Sequence, residues 1–294
     1  MSIFTINGDE LFSAYDMQGD ELSTAYSISG DVIYTKTRTV KVMTYNVGTW
    51  YYGGHDNVPV DKDVEYYSLQ NGMIERDNPD ILCMNEYCKQ FSKTGRSALS
   101  MLEQYFPYIH EQGGDNPSAS NANGRCIASK YPITNYTVRN FNDGSGLYYD
   151  SCTITVNGIP ITVVVTHLYY SASDATRRIS ELRTIISFMQ TQERCIVCGD
   201  LNTLDCKSTS GADYISMIQL LLDAGFHIAN CGNFGFLVTY SDEPVGTYTG
   251  CLDNIVTTAN IGILSASVDT TKLSDGLSEK TDHMPLIATL QIGG

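Results

Sequence analysis

The apolar positions of this chain fall into short runs, separated by polar turns rich in Gly, Asn, Asp and Pro. Runs of four to eight apolar residues bounded by such turns read as buried strands, while apolar spacing of three and four reads as helix. On these grounds 39–47 is a strand ending at Asn46, and 62–77 is a helix stopped by Asn78-Pro79-Asp80. Residues 81–86 form a strand ending in a carboxylate, and a helix lies near 95–105. Strands follow at 125–129 and 133–140. A hairpin joins 148–156 to 160–167 over Asn157-Gly158, the strongest turn signal in the chain. Residues 174–190 form a helix with Ser173 or Asp174 as its N-cap. The stretch 195–203 begins as a buried strand, and 211–224 is helical. Residues 225–250 carry little pattern. Strands then begin at Leu252, at 263 and at Asp282.

The first 37 residues differ. Gly8-Asp9-Glu10-Leu11, Gly19-Asp20-Glu21-Leu22 and Gly30-Asp31-Val32-Ile33 recur at intervals of eleven, with Ala14-Tyr15 and Ala25-Tyr26 in step. Each unit is a half-apolar segment closed by a Gly-Asp turn, so a run of β-hairpins is expected. The segment is too short for its own core. We expect an N-terminal arm over 1–37, used for binding another protein or for self-assembly, and one large domain over 38–294.

Charge narrows the functional classes. The 294 residues include 33 acids and 18 bases, a net charge of −15. Such a surface is a poor polyanion binder unless a cation intervenes, whereas acidic clefts suit divalent metals. No basic–apolar–cleavage pattern begins the sequence, and no apolar run approaches membrane-spanning length. A cytoplasmic protein is the default expectation, with non-classical export as the alternative. The nine cysteines are expected to be mostly reduced and buried. Cys195 and Cys198 lie three apart on a strand and so face opposite sides, which excludes a zinc pair. A disulfide among Cys206, Cys231 and Cys251 is the one pairing left open.

Several strands run into a polar residue at one end: Asn46, Glu86, His167, Asp200 with Asn202, Asp253, and Asp282 with His283. Singly, each has a plain structural explanation as a turn, a surface charge or a satisfied core group. Alternation along the strand places Asp200 and Asn202 on the same side. Strand ends of a layered sheet converge on one edge, where sites are built. Glu86, Asp282 and Asn46 offer oxygen ligands suited to Mg²⁺ or Mn²⁺. His167 and His283 supply a base and an acid near neutral pH. Asp253 could fix the tautomer of one of them. Phosphoester cleavage needs this combination: a cation, a base for water, and an acid for the leaving oxygen.

Thr44-Tyr45-Asn46-Val47, Asn85-Glu86-Tyr87, Ser129-Lys130-Tyr131-Pro132-Ile133, Thr166-His167-Leu168, Gly199-Asp200-Leu201-Asn202-Thr203, Leu252-Asp253-Asn254-Ile255 and Asp282-His283-Met284-Pro285-Leu286 resemble, in order, the motifs of the endonuclease/exonuclease/phosphatase superfamily of deoxyribonuclease I-like enzymes. The resemblance spans about 38–293. It implies an α+β fold: a two-layered β-sandwich flanked by helices, four layers α/β/β/α. It further implies Glu86 as principal Mg²⁺ ligand with Asn46 and Asp282, His283 as base oriented by Asp253, Asp200 and Asn202 positioning nucleophile and phosphate, and His167 as acid or phosphate ligand. The histidine at 167 disfavours the abasic-site endonuclease branch. Asn85 replaces the usual Gln before the metal Glu, and Cys88 stands where the deoxyribonuclease branch commonly has Arg. The Arg that inositol phosphatases place after Gly-Asp-x-Asn is absent. Residues 232–240 offer only a faint counterpart to the membrane hairpin of sphingomyelinases.

The aromatic pairs around the strand ends, Trp50-Tyr51-Tyr52, Tyr148-Tyr149 and Tyr169-Tyr170, are either loop packing or a stacking surface. Arg125, Arg177, Arg178, Lys89, Lys93 and Arg96 are the nearest bases for phosphate contact. The expected activity is a Mg²⁺-dependent phosphoester hydrolase, foremost a nuclease-like phosphodiesterase whose phosphoester substrate includes nucleic acid. The alternatives are a phosphatase or phospholipase C-type enzyme, and a catalytically silent binding module. The intact set of Glu86, Asp200, Asn202 and His283 argues against the last.

Overall fold

The computed structural model describes residues 24–26, 32–35, 38–48, 60–91, 95–114, 124–144, 147–171, 174–203, 212–241, 249–271 and 283–293. Two six-stranded sheets lie face to face. The first runs β15 (Ile261–Val268), β16 (Leu286–Ile292), β3 (Arg38–Asn46), β4 (Ile81–Asn85), β6 (Arg125–Ser129) and β5 (Tyr108–Gln112). The second runs β11 (His227–Ile228), β14 (Asp253–Thr257), β10 (Cys195–Asp200), β9 (Ile159–His167), β8 (Tyr148–Val156) and β7 (Ile133–Asn140). Helices α1 (Val60–Asp77) and α2 (Ala98–Leu102) precede β4 and β5, while α3 (Ala175–Met189) and α4 (Ala212–Asp223) precede β10 and β11.

Three apolar clusters define four layers. Val42, Cys83, Ile127, Val163, Val165, Ile196, Cys198 and Ile255 interlock between the sheets. Met43, Leu82 and Met84 face outward onto Ile74 of α1 and Met101 and Leu102 of α2. Val164, Cys195 and Val197 face outward onto Leu182, Ile185 and Met189 of α3 and onto Met217 and Leu221 of α4. The fold is the expected sandwich flanked by helices. β4, β6 and β10 are buried at every position, which is why they read as unbroken apolar runs. Cys195 lies in the outer cluster and Cys198 between the sheets, as strand alternation requires. The described cysteines form no disulfide with one another, while Cys206 lies outside the described residues.

Boundaries match the expected elements closely. The β8–β9 turn falls on Asn157-Gly158 with both residues at positive φ, and Asp174 caps α3 by accepting the Arg177 amide. Several features differ: the closing strand begins at Leu286 rather than at 282, and short strands His227–Ile228, Tyr240–Ser241 and Thr249–Gly250 lie in the stretch that carries little pattern. The helix expected near 95–105 is a single short segment capped by Ser97. β5 was not expected: its sequence YIHEQ alternates at a half-buried edge without an apolar run. Of the N-terminal repeat, the described part is one antiparallel pair, β1 (Thr24–Tyr26) with β2 (Val32–Thr35). Residues 1–23 lie outside the described residues.

Candidate active site

Connectivity brings the polar strand ends together. β3 and β4 are parallel, as are β9 and β10, so each pair ends on the same edge. Register then sets neighbours: Asn46 lies opposite Asn85, and Asp200 lies opposite His167 on one side and Asp253 on the other. β16 returns antiparallel to β3, with Leu286 opposite Thr44, which delivers His283 to the same edge.

The side chains converge. His283 Nδ1 lies 2.7 Å from Asp253 Oδ2. Asp200 Oδ2 sits 3.5 Å from the Nε2 of His167 and 3.5 Å from that of His283. The Asn46 carboxamide Nδ2 donates to Glu86 Oε1 at 3.1 Å and to Asp200 Oδ2 at 3.2 Å, and its Oδ1 accepts the Gly48 amide at 3.1 Å. Burial raises the pKa of Glu86, opposed mainly by His167 and by the Asn46 hydrogen bond. Burial likewise raises that of Asp253, opposed by His283. In both, burial disfavours the charged form and the imidazoles beside it favour that form.

The backbone around the site is specialised. Glu86 and Asn202 adopt left-handed φ values of 50° and 49°. Gly199 sits at φ 146°, and a Cβ there would stand 1.9 Å from the Thr166 carbonyl oxygen. Only glycine allows β9 and β10 to meet this closely just before Asp200. The strand stops at Asp200, so alternation does not extend to Asn202 as expected. Instead the Asn202 amide folds back onto Asp200 Oδ1 at 2.7 Å, an Asx turn. Its Nδ2 donates to the Leu168 carbonyl at 2.8 Å, fixing the loop behind His167.

The structure thus gathers Asn46, Glu86, His167, Asp200, Asn202, Asp253 and His283. Asp282 lies outside the described residues, as do Trp50, Tyr51, Tyr52 and Lys93. The expected phosphate-binding bases fare differently. Arg125 is wholly buried, with its guanidinium 4.1 Å from the Tyr148 ring centre. Arg178 is buried and donates to the Tyr169 and Ser171 carbonyls. Arg177 is ion-paired to Asp143 at 3.0 Å. These three hold structure together. A positive side chain in a sequence carries no mark of its buried acceptors.

Two residues escaped the sequence reading. Asn85, visible only as a motif variation, donates from Nδ2 to the Thr166 carbonyl and accepts the Asp200 amide at 3.3 Å. It ties the two sheets together at the site. Tyr240 sets its ring edge-on to His283 at 5.2 Å, and neighbouring Thr239 accepts the Asp253 amide at 3.0 Å. The preceding segment had little pattern, and no local signal marks either.

The donor chemistry fits a hard divalent cation. Glu86 and Asp200 bring two carboxylates to one place, bridged by the Asn46 carboxamide, whose Nδ2 donates to both while its Oδ1 accepts the Gly48 amide, and a cation there would offset the charge of the two neighbouring acids. Atoms of Asp200, Asp253 and His283 also lie within 4.8 Å of one another. Since His283 Nδ1 is held by Asp253 while its Nε2 lies 3.5 Å from Asp200, that trio reads as two acids set about one imidazole, which leaves Glu86 and Asn46 as the candidate cation side.

A profile described as Endonuclease/Exonuclease/phosphatase family matches residues 69–283. No curated protein sequence matches the chain. Solved structures do. An endonuclease/exonuclease/phosphatase from Beutenbergia cavernae is 20% identical, with a TM-score of 0.61 over 87% of this chain and 72% of that one. D. rerio TDP2 in complex with a single-strand DNA product is 13% identical, with a TM-score of 0.64 over 86% and 98%. Sphingomyelinase C from Streptomyces griseocarneus is 18% identical, with a TM-score of 0.60 over 86% and 99%. At these identities the likeness is one of fold.

Proposed function

The chain belongs to the endonuclease/exonuclease/phosphatase family, and from that premise we propose that it is a divalent-metal-dependent phosphoester hydrolase acting as a nuclease-like phosphodiesterase. The observation that carries this reading is the pair of imidazoles at Asp200: the Nε2 atoms of His283 and His167 each lie 3.5 Å from Asp200 Oδ2, and Asp253 holds the other nitrogen of the His283 ring. Two imidazoles flank one carboxylate, as base and acid on either side of a phosphate would.

Glu86 and Asn46 would hold Mg²⁺ or Mn²⁺, with Asp282 completing the set. A cation bound there would offset the charge that develops on the phosphate oxygens. The remaining work falls to the chain's own groups. Asp253 fixes the His283 tautomer and stabilises the imidazolium formed when Nε2 accepts a proton from water. Asp200 accepts hydrogen bonds on the inner face and orients that water. Asn202 holds the Leu168 carbonyl, and with it the loop that places His167. His167 donates a proton, or a hydrogen bond, to the departing oxygen. Residues 1–37 are proposed as an arm outside this unit, for protein binding or self-assembly.

The test is hydrolysis of a generic phosphodiester and of single- and double-stranded DNA and RNA with Mg²⁺ or with EDTA, comparing wild type with His283→Ala. Mg²⁺-dependent cleavage of nucleic acid that disappears in the variant supports the reading. Cleavage of lipid or small phosphate esters alone moves the substrate to the phospholipase or phosphatase class. No cation-dependent activity overturns it.

A further inference from the structure

The loop leaving His167 is held with unusual thoroughness. The Leu168 amide donates to the Asp200 carbonyl at 2.9 Å, and the Leu168 carbonyl accepts from Asn202 at 2.8 Å. The Tyr169 amide donates to Glu181 Oε2 at 2.8 Å. The Tyr169 and Ser171 carbonyls both accept from Arg178. Arg178 and Glu181 are buried, so two ionisable side chains are desolvated to hold the backbone of Tyr169 and Ser171. Burying charge this way is unfavourable unless the groups are well bonded.

At the crest of this loop Tyr170 is 73% exposed. Next to it lies Tyr169, ring centres 5.3 Å apart and planes tilted by 44°, and the Arg177 guanidinium, anchored by Asp143, lies 4.3 Å from the Tyr169 ring centre. The other described aromatic pair at the strand ends is packed away: Tyr149 is buried, and Tyr148 lies against Arg125. Tyr170 therefore presents a flat face, on a fixed backbone, three residues from a proposed catalytic histidine.

We propose that Tyr170, backed by Tyr169 and Arg177, is a stacking shelf for the base of a nucleotide adjoining the scissile phosphate, so that the protein selects phosphodiesters bearing a planar aromatic group. This rests on the phosphodiesterase reading above. Stacking on an aromatic face is indifferent to base identity, since every base has a π-face. The shelf thus gives preference for an unstacked strand without sequence preference. It also supplies attraction that does not depend on positive charge, which a chain of net charge −15 has little of. One exposed ring whose neighbour Tyr169 lies against Arg177 and its Asp143 partner suits a base better than a lipid surface, which needs a contiguous apolar patch.

The test reads binding rather than turnover. On a His283→Ala background with Mg²⁺ at low salt, the affinity of fluorescent pentathymidylate is compared with that of an abasic pentamer carrying the same phosphates. Tyr170 is then replaced by Ala or Phe. The base-bearing strand is expected to bind more tightly, with the ratio falling about tenfold in Tyr170→Ala and being kept in Tyr170→Phe. A ratio near one with Tyr170 present, or one unchanged in Tyr170→Ala, overturns the shelf. So does Tyr170-dependent binding confined to sphingomyelin vesicles. Because no hydrolysis is measured, failure of the hydrolase reading and failure of the shelf appear in different experiments.

Discussion

Asp253 holds the imidazole of His283 at 2.7 Å, while the far nitrogen of that ring lies 3.5 Å from Asp200. A ring bonded through Nδ1 has a defined tautomer and aims Nε2 at the reaction. Asp253→Asn keeps the shape but removes the charge that stabilises the protonated ring. We expect kcat on a phosphodiester to fall by about two to four powers of ten with KM little changed. Steady-state kinetics checks this. An equal rate would remove His283 from the role of base.

Glu86→Gln removes the carboxylate from the cation side. Activity abolished by EDTA and restored by Mg²⁺ is expected for the wild type. For the variant, calorimetric titration should show Mg²⁺ affinity weakened by more than about tenfold. Undiminished affinity would place the cation elsewhere, with the Asp200, Asp253 and His283 trio the next candidate.

Asn85 joins the sheets with both ends of its carboxamide. Asn85→Ala leaves the Asp200 amide and the Thr166 carbonyl without that partner. Loss of about 1–3 kcal/mol in urea denaturation is expected, together with a drop in kcat as Asp200 loses its fixed height. A stability loss with unaltered kcat would show that the tie serves the fold alone.

Glu181 gives a pH dependence remote from the cation site. Burial is the largest cause that lifts its pKa from the usual 4.5 to about 7, and the nearby Asp143 carboxyl adds to it. Above 4.5 the unfolded chain releases this proton while the folded chain keeps it. Stability is therefore highest below 4.5 and declines as pH rises toward 7, by up to about 3 kcal/mol for this group. Glu181→Gln, which still offers an oxygen to the Tyr169 amide, should flatten that decline between pH 5 and 8. Parallel stability profiles for variant and wild type would contradict this.

Gly199→Ala sets a methyl group against the Thr166 carbonyl in a backbone region that side chains avoid. Loss of more than about 3 kcal/mol is expected, read as a lowered denaturation midpoint or an insoluble product. Gly158→Ala, in the turn between β8 and β9 with open space around it, is the comparison, expected to cost about 1 kcal/mol.

Much of this architecture is legible in the sequence because β4, β6 and β10 are covered on both faces and leave unbroken apolar stretches. The strand ends stand out because a carboxylate or imidazole follows each stretch abruptly. What stays hidden depends on partners distant in sequence. Arg125 and Arg178 resemble surface bases until their cavities are seen. β5 is an edge strand whose half-exposed positions carry polar side chains. Asn202 has the right identity, but the chain turns before strand alternation can place it. Tyr240 reaches His283 from a segment without periodicity.

Asn46 and Glu86 hang from one sheet, and His167, Asp200 and Asp253 from the other. His283 comes from the segment leading into β16, in the first sheet, so the proposed base and its partner Asp253 belong to opposite sheets, and their 2.7 Å separation depends on how closely side chains such as Val165, Cys198 and Ile255 let the sheets approach. The interior acts as a calibrated spacer. Exchanging one of these residues for a larger or smaller one would alter turnover while the protein remained folded. Drift in such a lineage should be slow between the sheets and fast on the outer helices, whose dimensions do not set the distance between His283 and Asp253.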